Sequence, residues 1–207
     1  MTRVKICGIT NLEDALAACE AGADAIGFIF VPEAKKRNRF IEPAKAREIA
    51  EQLPPFVCVT AVCVNESLER LREYLEFADY VQLCGEESVT DCEAVALRAI
   101  KAFRVGPGFR AESMLAYPTA AYLLDACVEG QRGGTGKTCD WALAQEAVAL
   151  GRPVVLAGGL TPDNVAEAVR VVRPYAVDTA GGVESAPGKK DHERVRTFVE
   201  RAKRALS

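Results

Sequence analysis

Eight short apolar segments, each followed by a helical or helix-like stretch, run in regular order through the 207 residues. This alternation constrains the fold more than any other feature, because strand, helix, strand is the βαβ unit of a parallel sheet. The strand segments are 3–7 (RVKIC), 24–30 (DAIGFIF), 57–64 (VCVTAVCV), 80–84 (YVQLC), 99–105 (AIKAFRV), 120–126 (AAYLLDA), 153–158 (PVVLAG) and 175–180 (YAVDTA). Helical patterns occupy 11–21, 43–53, 67–78, 89–97, 140–150, 162–172 and 191–206, while 109–118 suits only a short helix. Eight such units in one chain predict a closed (β/α)8 TIM barrel. An open doubly wound sheet is the alternative, since a strand count does not prove closure. No linker or composition break divides the chain, so residues 1–207 read as one domain.

Composition removes several classes of function. With 49% hydrophobic and 27% charged residues the chain can bury a core and solvate its surface. No apolar run approaches the ~20 residues a membrane-spanning helix needs. The opening MTRVKICGIT lacks the apolar region of a secretory signal, so the cytoplasm is the expected location. A net charge of −3 argues against a partner with a nucleic acid backbone. The eight cysteines (Cys7, Cys19, Cys58, Cys63, Cys84, Cys92, Cys127 and Cys139) contain no C-x-x-C pair. Neither a disulfide framework nor a structural zinc site is expected, and most of these thiols read as small buried hydrophobes. His192 is the only histidine, in a charged stretch that reads as a solvated helix start. Proton transfer would therefore fall to Cys, Asp, Glu, Lys or Tyr.

In such a barrel the reactive residues sit where strands end and βα loops begin. Val4 and Ile6 form the apolar face of the first strand, which turns Lys5 and Cys7 inward, Cys7 last. Asp125 ends the sixth strand, where a carboxylate has few purely structural reasons to be. Cys7 and Asp125 then share a rim, three strand steps apart. Lys5, Gln82 and Asp178 are expected deeper in the barrel, Lys5 and Asp178 as a structural ion pair on adjacent strands. Gly158 and Gly159 follow strand seven, and Gly181 and Gly182 follow strand eight, with Val183 and Glu184 starting a short helix. A single Gly-Gly is usually a turn, but two at these consecutive loops favour a phosphorylated small-molecule ligand. GGTGKT at 133–138 fails as a nucleotide P-loop, because the first glycine misses its position by one. That stretch reads instead as a loop beside Asp125 with Thr135 and Lys137 near the mouth, although a loop lysine such as Lys137 is usually solvated. The loop after strand two is basic (Lys35, Lys36, Arg37, Arg39); such runs are usually solvated, but one of these could clamp a carboxylate. Helix starts are read at Thr10, with Glu13 completing a capping box, and at Thr161–Pro162.

Seven segments, in order, resemble the phosphoribosylanthranilate isomerase family: VKICGIT (4–10), GADAIGFIF (22–30), VQLCG (81–85), LLDA (123–126), GGTGKTCDW (133–141), LAGGLTPDNV (156–165) and DTAGGVES with PGKKD (178–191). The resemblance implies a cofactor-free Amadori rearrangement in tryptophan biosynthesis, with Cys7 as general base and Asp125 as general acid. It implies that Arg39 holds the anthranilate carboxylate, and that the loops at Gly158–Gly159 and Gly181–Gly182 hold the 5-phosphate. The chain has Cys84 where the family commonly has histidine, Ala180 and Gly181 where it has serines, and Arg37 where a serine is usual. A thiol base needs ionising, for which Arg39 or a lysine is the expected cation. Other phosphosugar barrels and a non-catalytic phospholigand-binding barrel are the rival readings. A homodimer is compatible with the sequence, which locates no interface.

Overall fold

The computed structural model describes residues 1–106, 108–126 and 140–206. Eight parallel strands close into a barrel: β1 Arg3–Cys7, β2 Ala25–Ile29, β3 Cys58–Cys63, β4 Tyr80–Leu83, β5 Ala99–Val105, β6 Ala121–Ala126, β7 Val154–Leu156 and β8 Ala176–Thr179. Each pairs with its sequence neighbour, and β8 returns to β1 with Lys5 opposite Asp178. The open-sheet alternative is thereby excluded. Among the described residues seven helices accompany the strands: α1 Leu12–Glu20, α2 Pro43–Ala50, α3 Leu68–Tyr74, α4 Val89–Glu93, α5 Trp141–Ala149, α6 Val165–Val172 and α7 His192–Arg204. Residues 109–118 hold only the 3-10 turn Ala111–Ala116, as the weak pattern there predicts. Among the described residues no helix is long and apolar enough to cross a membrane.

Two apolar layers result from the alternation of side chains along each strand. Val4, Ile6, Ile26, Phe28, Val81 and Leu83 point into the cluster shared with the helices. Leu123, Val155, Ala157 and Ala176 form a separate cluster, packed by Ile100 and Ala102, which fills the barrel itself. In α7, Val195, Phe198, Val199 and Ala202 recur at helical spacing on its buried face. Its first turn carries Glu193 and its last turn Arg201, Lys203 and Arg204, each sign matching the helix dipole.

Several ties are invisible to local pattern. Asp24, just before β2, accepts the Val4 backbone N–H at 2.8 Å, and Asp79, just before β4, accepts that of Val59 at 2.7 Å. Both work at the strand entrances, opposite the functional rim. On the outer side, Lys101 donates to Glu87 at 2.7 Å and to the Gly85 carbonyl at 2.8 Å. Glu87 also accepts the backbone N–H groups of Asn65 and Gly85. Burial disfavours the Glu87 carboxylate, but Lys101 and the Asn65 N–H outweigh it and hold the carboxyl below its ordinary range.

Two helix starts move from their expected places. Asn11, not Thr10, caps α1, accepting the Asp14 N–H at 2.8 Å, while the Thr10 hydroxyl donates to the Gly188 carbonyl. Thr161 and Pro162 form a preceding turn, and α6 begins at Val165 after Asn164, whose side chain reaches back to the Thr161 N–H at 2.8 Å.

Removing one partner of a buried pair strands the other charge. Lys101→Met is therefore expected to cost about 3–5 kcal/mol, read as a lower urea midpoint at unchanged slope. Because the Glu87 carboxyl is held low, its stabilisation is present above the unfolded-state pKa and is lost as pH falls through the folded one. Lys101→Met/Glu87→Gln should recover much of the loss and lack that acid limb.

Candidate active site

Cys7 ends β1 and lies almost fully buried, at 5% exposure, at the rim where the strands finish. Its neighbour two residues back, Lys5, bonds Asp178 across the seam at 2.8 Å, both side chains being buried. The expected ion pair is present. Burial pushes the Cys7 thiol up, Lys5 opposes this, Asp178 adds to it, and Lys190 opposes it more weakly. Lys5 and Lys190 are thus cations that act on the thiol, in line with the lysine alternative. Burial also works against the Lys5 ammonium, but Asp178 and Cys7 outweigh it and raise its pKa.

Asp125 is half-buried near the end of β6, in register with Arg104 of β5. From β6 to β1 there are three strand steps, through β7 and β8. Residues 127–139, with Thr135 and Lys137, lie outside the described residues. Cys84 follows β4 and accepts a hydrogen bond from Gln82 Nε2 at 3.3 Å; burial lifts its pKa to about 12. Among the described residues the Oε1 atom of Gln82 is buried without a hydrogen-bond partner.

Arg39 is pinned. Its Nε donates to both Glu184 oxygens at 2.9 and 3.2 Å, and its Nη2 to Oε2 at 2.8 Å. Glu184 occupies the side-on edge of the guanidinium, which leaves the end-on Nη1/Nη2 fork for a further anion. Lys190 Nζ, wholly buried, holds Glu184 Oε1 at 3.0 Å and the Ala180 carbonyl at 3.1 Å. Arg194 Nη1 donates to the Glu184 carbonyl at 2.9 Å. Sequence reading did not find Glu184 or Lys190 as parts of the site. Glu184 was legible only as part of a short helix, with Val183, after Gly181–Gly182, and its partner lies 145 positions away.

The predicted helix at Val183–Glu184 is instead a 3-10 turn over Gly181–Val183, after which Glu184–Ala186 pairs with Lys189–Lys190 as the hairpin β9–β10. Pairing turns Glu184 back toward Arg39. A Cβ at Gly182 would lie 1.9 Å from the Leu160 carbonyl oxygen, so the loops after β7 and β8 touch only because this residue is glycine. Gly158 and Gly159 take φ of 84° and 63°, which favours glycine. His192 departs from its solvated reading: it starts α7, but its Nε2 lies 2.8 Å from buried Asp14. Burial opposes the Asp14 carboxylate, while the Lys190 N–H, His192 and Asn11 together hold its pKa below the ordinary value.

A closed parallel barrel with a thiol, a carboxylate and an oriented guanidinium on its C-terminal rim defines the class: the (β/α)8-barrel enzymes. A family model for N-(5'-phosphoribosyl)anthranilate (PRA) isomerase matches residues 4–201. The chain belongs to that family. It is 49% identical over 208 residues to an N-(5'-phosphoribosyl)anthranilate isomerase of Trichlorobacter lovleyi, covering all of both chains. It resembles a solved phosphoribosyl anthranilate isomerase in complex with reduced 1-(o-carboxyphenylamino)-1-deoxyribulose 5-phosphate: TM-score 0.85, 44% identity, 98% of this chain and 99% of that one. A third likeness is to monomers generated from the dimeric isomerase of Thermotoga maritima: TM-score 0.83, 42% identity, again 98% and 99% covered.

Gly182→Ala must displace a backbone carbonyl, whereas a Cβ at Gly181 meets the Arg39 guanidinium at 2.6 Å, which Glu184 holds. The first is expected to lower the melting temperature by several degrees, at about 1–3 kcal/mol for overpacking. Gly181→Ala must shift a paired side chain rather than backbone, and should lower it by less in the same calorimetric comparison.

Proposed function

We propose that Cys7 and Asp125 carry the proton transfers of the family's reaction, the Amadori rearrangement of N-(5'-phosphoribosyl)anthranilate to 1-(2-carboxyphenylamino)-1-deoxyribulose 5-phosphate. The observation that carries this reading is the placement of a thiol and a carboxylate at the ends of β1 and β6, facing one rim from different strands. Asp125 gives its proton to the furanose ring oxygen as the C1'–O bond breaks, leaving a protonated Schiff base. Cys7, as thiolate, takes the C2' proton; the electron pair moves into the C1'–C2' bond and neutralises the nitrogen. The resulting enolamine loses its hydroxyl proton and gains one at C1', which gives the ketone with no net change in composition. General acid–base help of this kind contributes typically ~10²–10⁴-fold.

Arg39, held on one edge by Glu184, receives the anthranilate carboxylate on its open fork. The backbone at Gly158–Gly159 and Gly181–Gly182 receives the 5-phosphate, with no side-chain hydroxyl from Ala180 or Gly181. The substrate is a small phosphosugar, and residues 1–207 work as one barrel domain in the cytoplasm. Turnover is followed by the loss of anthranilate fluorescence. Cys7→Ala and Asp125→Asn are each expected to lower kcat by at least ~10², and near-normal turnover in either variant removes that residue from the mechanism.

The assembly proposed is a homodimer, the state from which the Thermotoga maritima monomers were generated. On this chain Phe56 is fully exposed and held at φ 72°, in the loop entering β3 on the face opposite the rim. A non-glycine residue in that region costs roughly 1–2 kcal/mol, and an exposed aromatic ring there suits burial against a second copy. Phe56→Glu is expected to shift the sedimentation coefficient to the monomer's; a wild type that already sediments as a monomer overturns the proposal.

A further inference from the structure

The mechanism leaves the buried charge nearest the base on its own strand unused. Lys5 is 4% exposed, inside the barrel, one inward position below the proposed base. A buried ion pair is on balance neutral for stability, and apolar residues of similar volume often replace it at no loss. Stability alone therefore gives a weak reason for Lys5 and Asp178 to stand here.

The position of Gly27 on β2 supplies another. A Cβ at Gly27 would come within 2.8 Å of Cys7 Sγ and within 3.0 Å of Lys5 Nζ. Thiol and ammonium thus fill together the one space that β2 leaves without a side chain. Gly27 lies directly opposite Cys7 in the β1–β2 register, and Lys5 directly opposite Asp178 in the β1–β8 register. Asp178 fixes the ammonium from one side at 2.8 Å, and the missing side chain of Gly27 lets it meet the thiol on the other.

We propose that Lys5 is a positioning residue for the isomerisation, its ammonium locked by Asp178 and holding the Cys7 thiolate by charge across the space left by Gly27. The groups that bear on Cys7 are Lys5 on its own strand, Asp178 on β8, Lys190 on β10 and Cys84 after β4; β2 presents glycine. Of the two cations, Lys190 is engaged by Glu184 and the Ala180 carbonyl, which leaves Lys5 as the one whose partner can be exchanged without loosening Arg39. The effect on turnover rests on the reading of Cys7 as base; the effect on the thiol itself does not.

The test is a pH titration of thiolate absorbance in the ultraviolet, taken as the difference between each protein and the same protein carrying Cys7→Ser. Lys5→Met/Asp178→Leu removes both charges and keeps the site neutral and filled. Its Cys7 inflection is expected at least one pH unit above the wild type's, an about tenfold loss of thiolate on the alkaline limb. Gly27→Ala keeps the ion pair but wedges a methyl group between thiol and ammonium, and should shift the inflection the same way if the double variant does not fold. The alkaline limb of kcat/KM should move with the titration. Inflections equal to the wild type's in the folded variants overturn the proposal. A titration that shifts in a series where Cys7→Ala still turns over supports it for the thiol and removes only the base assignment.

Discussion

Pairing of Arg3, Val4, Lys5 and Ile6 with Ala176, Val177, Asp178 and Thr179 closes the sheet on itself, and the site depends on that seam. A parallel sheet left open there would expose a row of unpaired backbone donors and acceptors along both edge strands. Closure satisfies them, and it brings the ends of β6 and β1 onto one rim, although 118 residues separate Asp125 from Cys7 along the chain. It also forces Lys5 and Asp178 together inside the barrel, where only an ion pair makes either tolerable.

Around the rim, charge is arranged in matched sets that fix direction more than they add stability. Lys190 and Arg39 hold Glu184 from two sides, and Glu184 in turn keeps one edge of Arg39 occupied. The loop after β2 is thereby tied to the hairpin after β8. Asp14 takes the Lys190 N–H and the His192 ring, which ties α1 to the hairpin and to α7. Pairs of this kind, formed in a buried setting, have a single low-energy geometry, so a substrate carboxylate would meet a guanidinium already oriented.

What could be read from the sequence was what repeats or what sits at a strand end. The βαβ alternation gave all eight strands near their observed places, and inward–outward alternation along RVKIC placed Lys5 and Cys7 correctly. Local chemistry was legible to within a residue or a turn: Asn11 took the cap one residue after Thr10, whose hydroxyl donates across the fold to the Gly188 carbonyl. The partners of Arg39 and of Lys101 were not legible. Glu184 follows an irregular glycine turn whose exit direction is set by a hairpin, and Glu87 lies in a loop without periodicity. In both cases the identity of the residue is ordinary and only the closed fold says which charge it meets.

The seam also has a consequence for how the molecule is made. Lys5 and Asp178 are 173 residues apart, so the strand that bears Cys7 leaves the ribosome well before its partner. At roughly 5–20 residues per second, the first strand waits on the order of 10–35 s before it can pair on that side. Until then its edge and its lysine stand unmatched, and β2 alone, joined at Lys5, Ile6 and Cys7, shields it. The thiol on which the chemistry is proposed to turn is therefore present early and enclosed late.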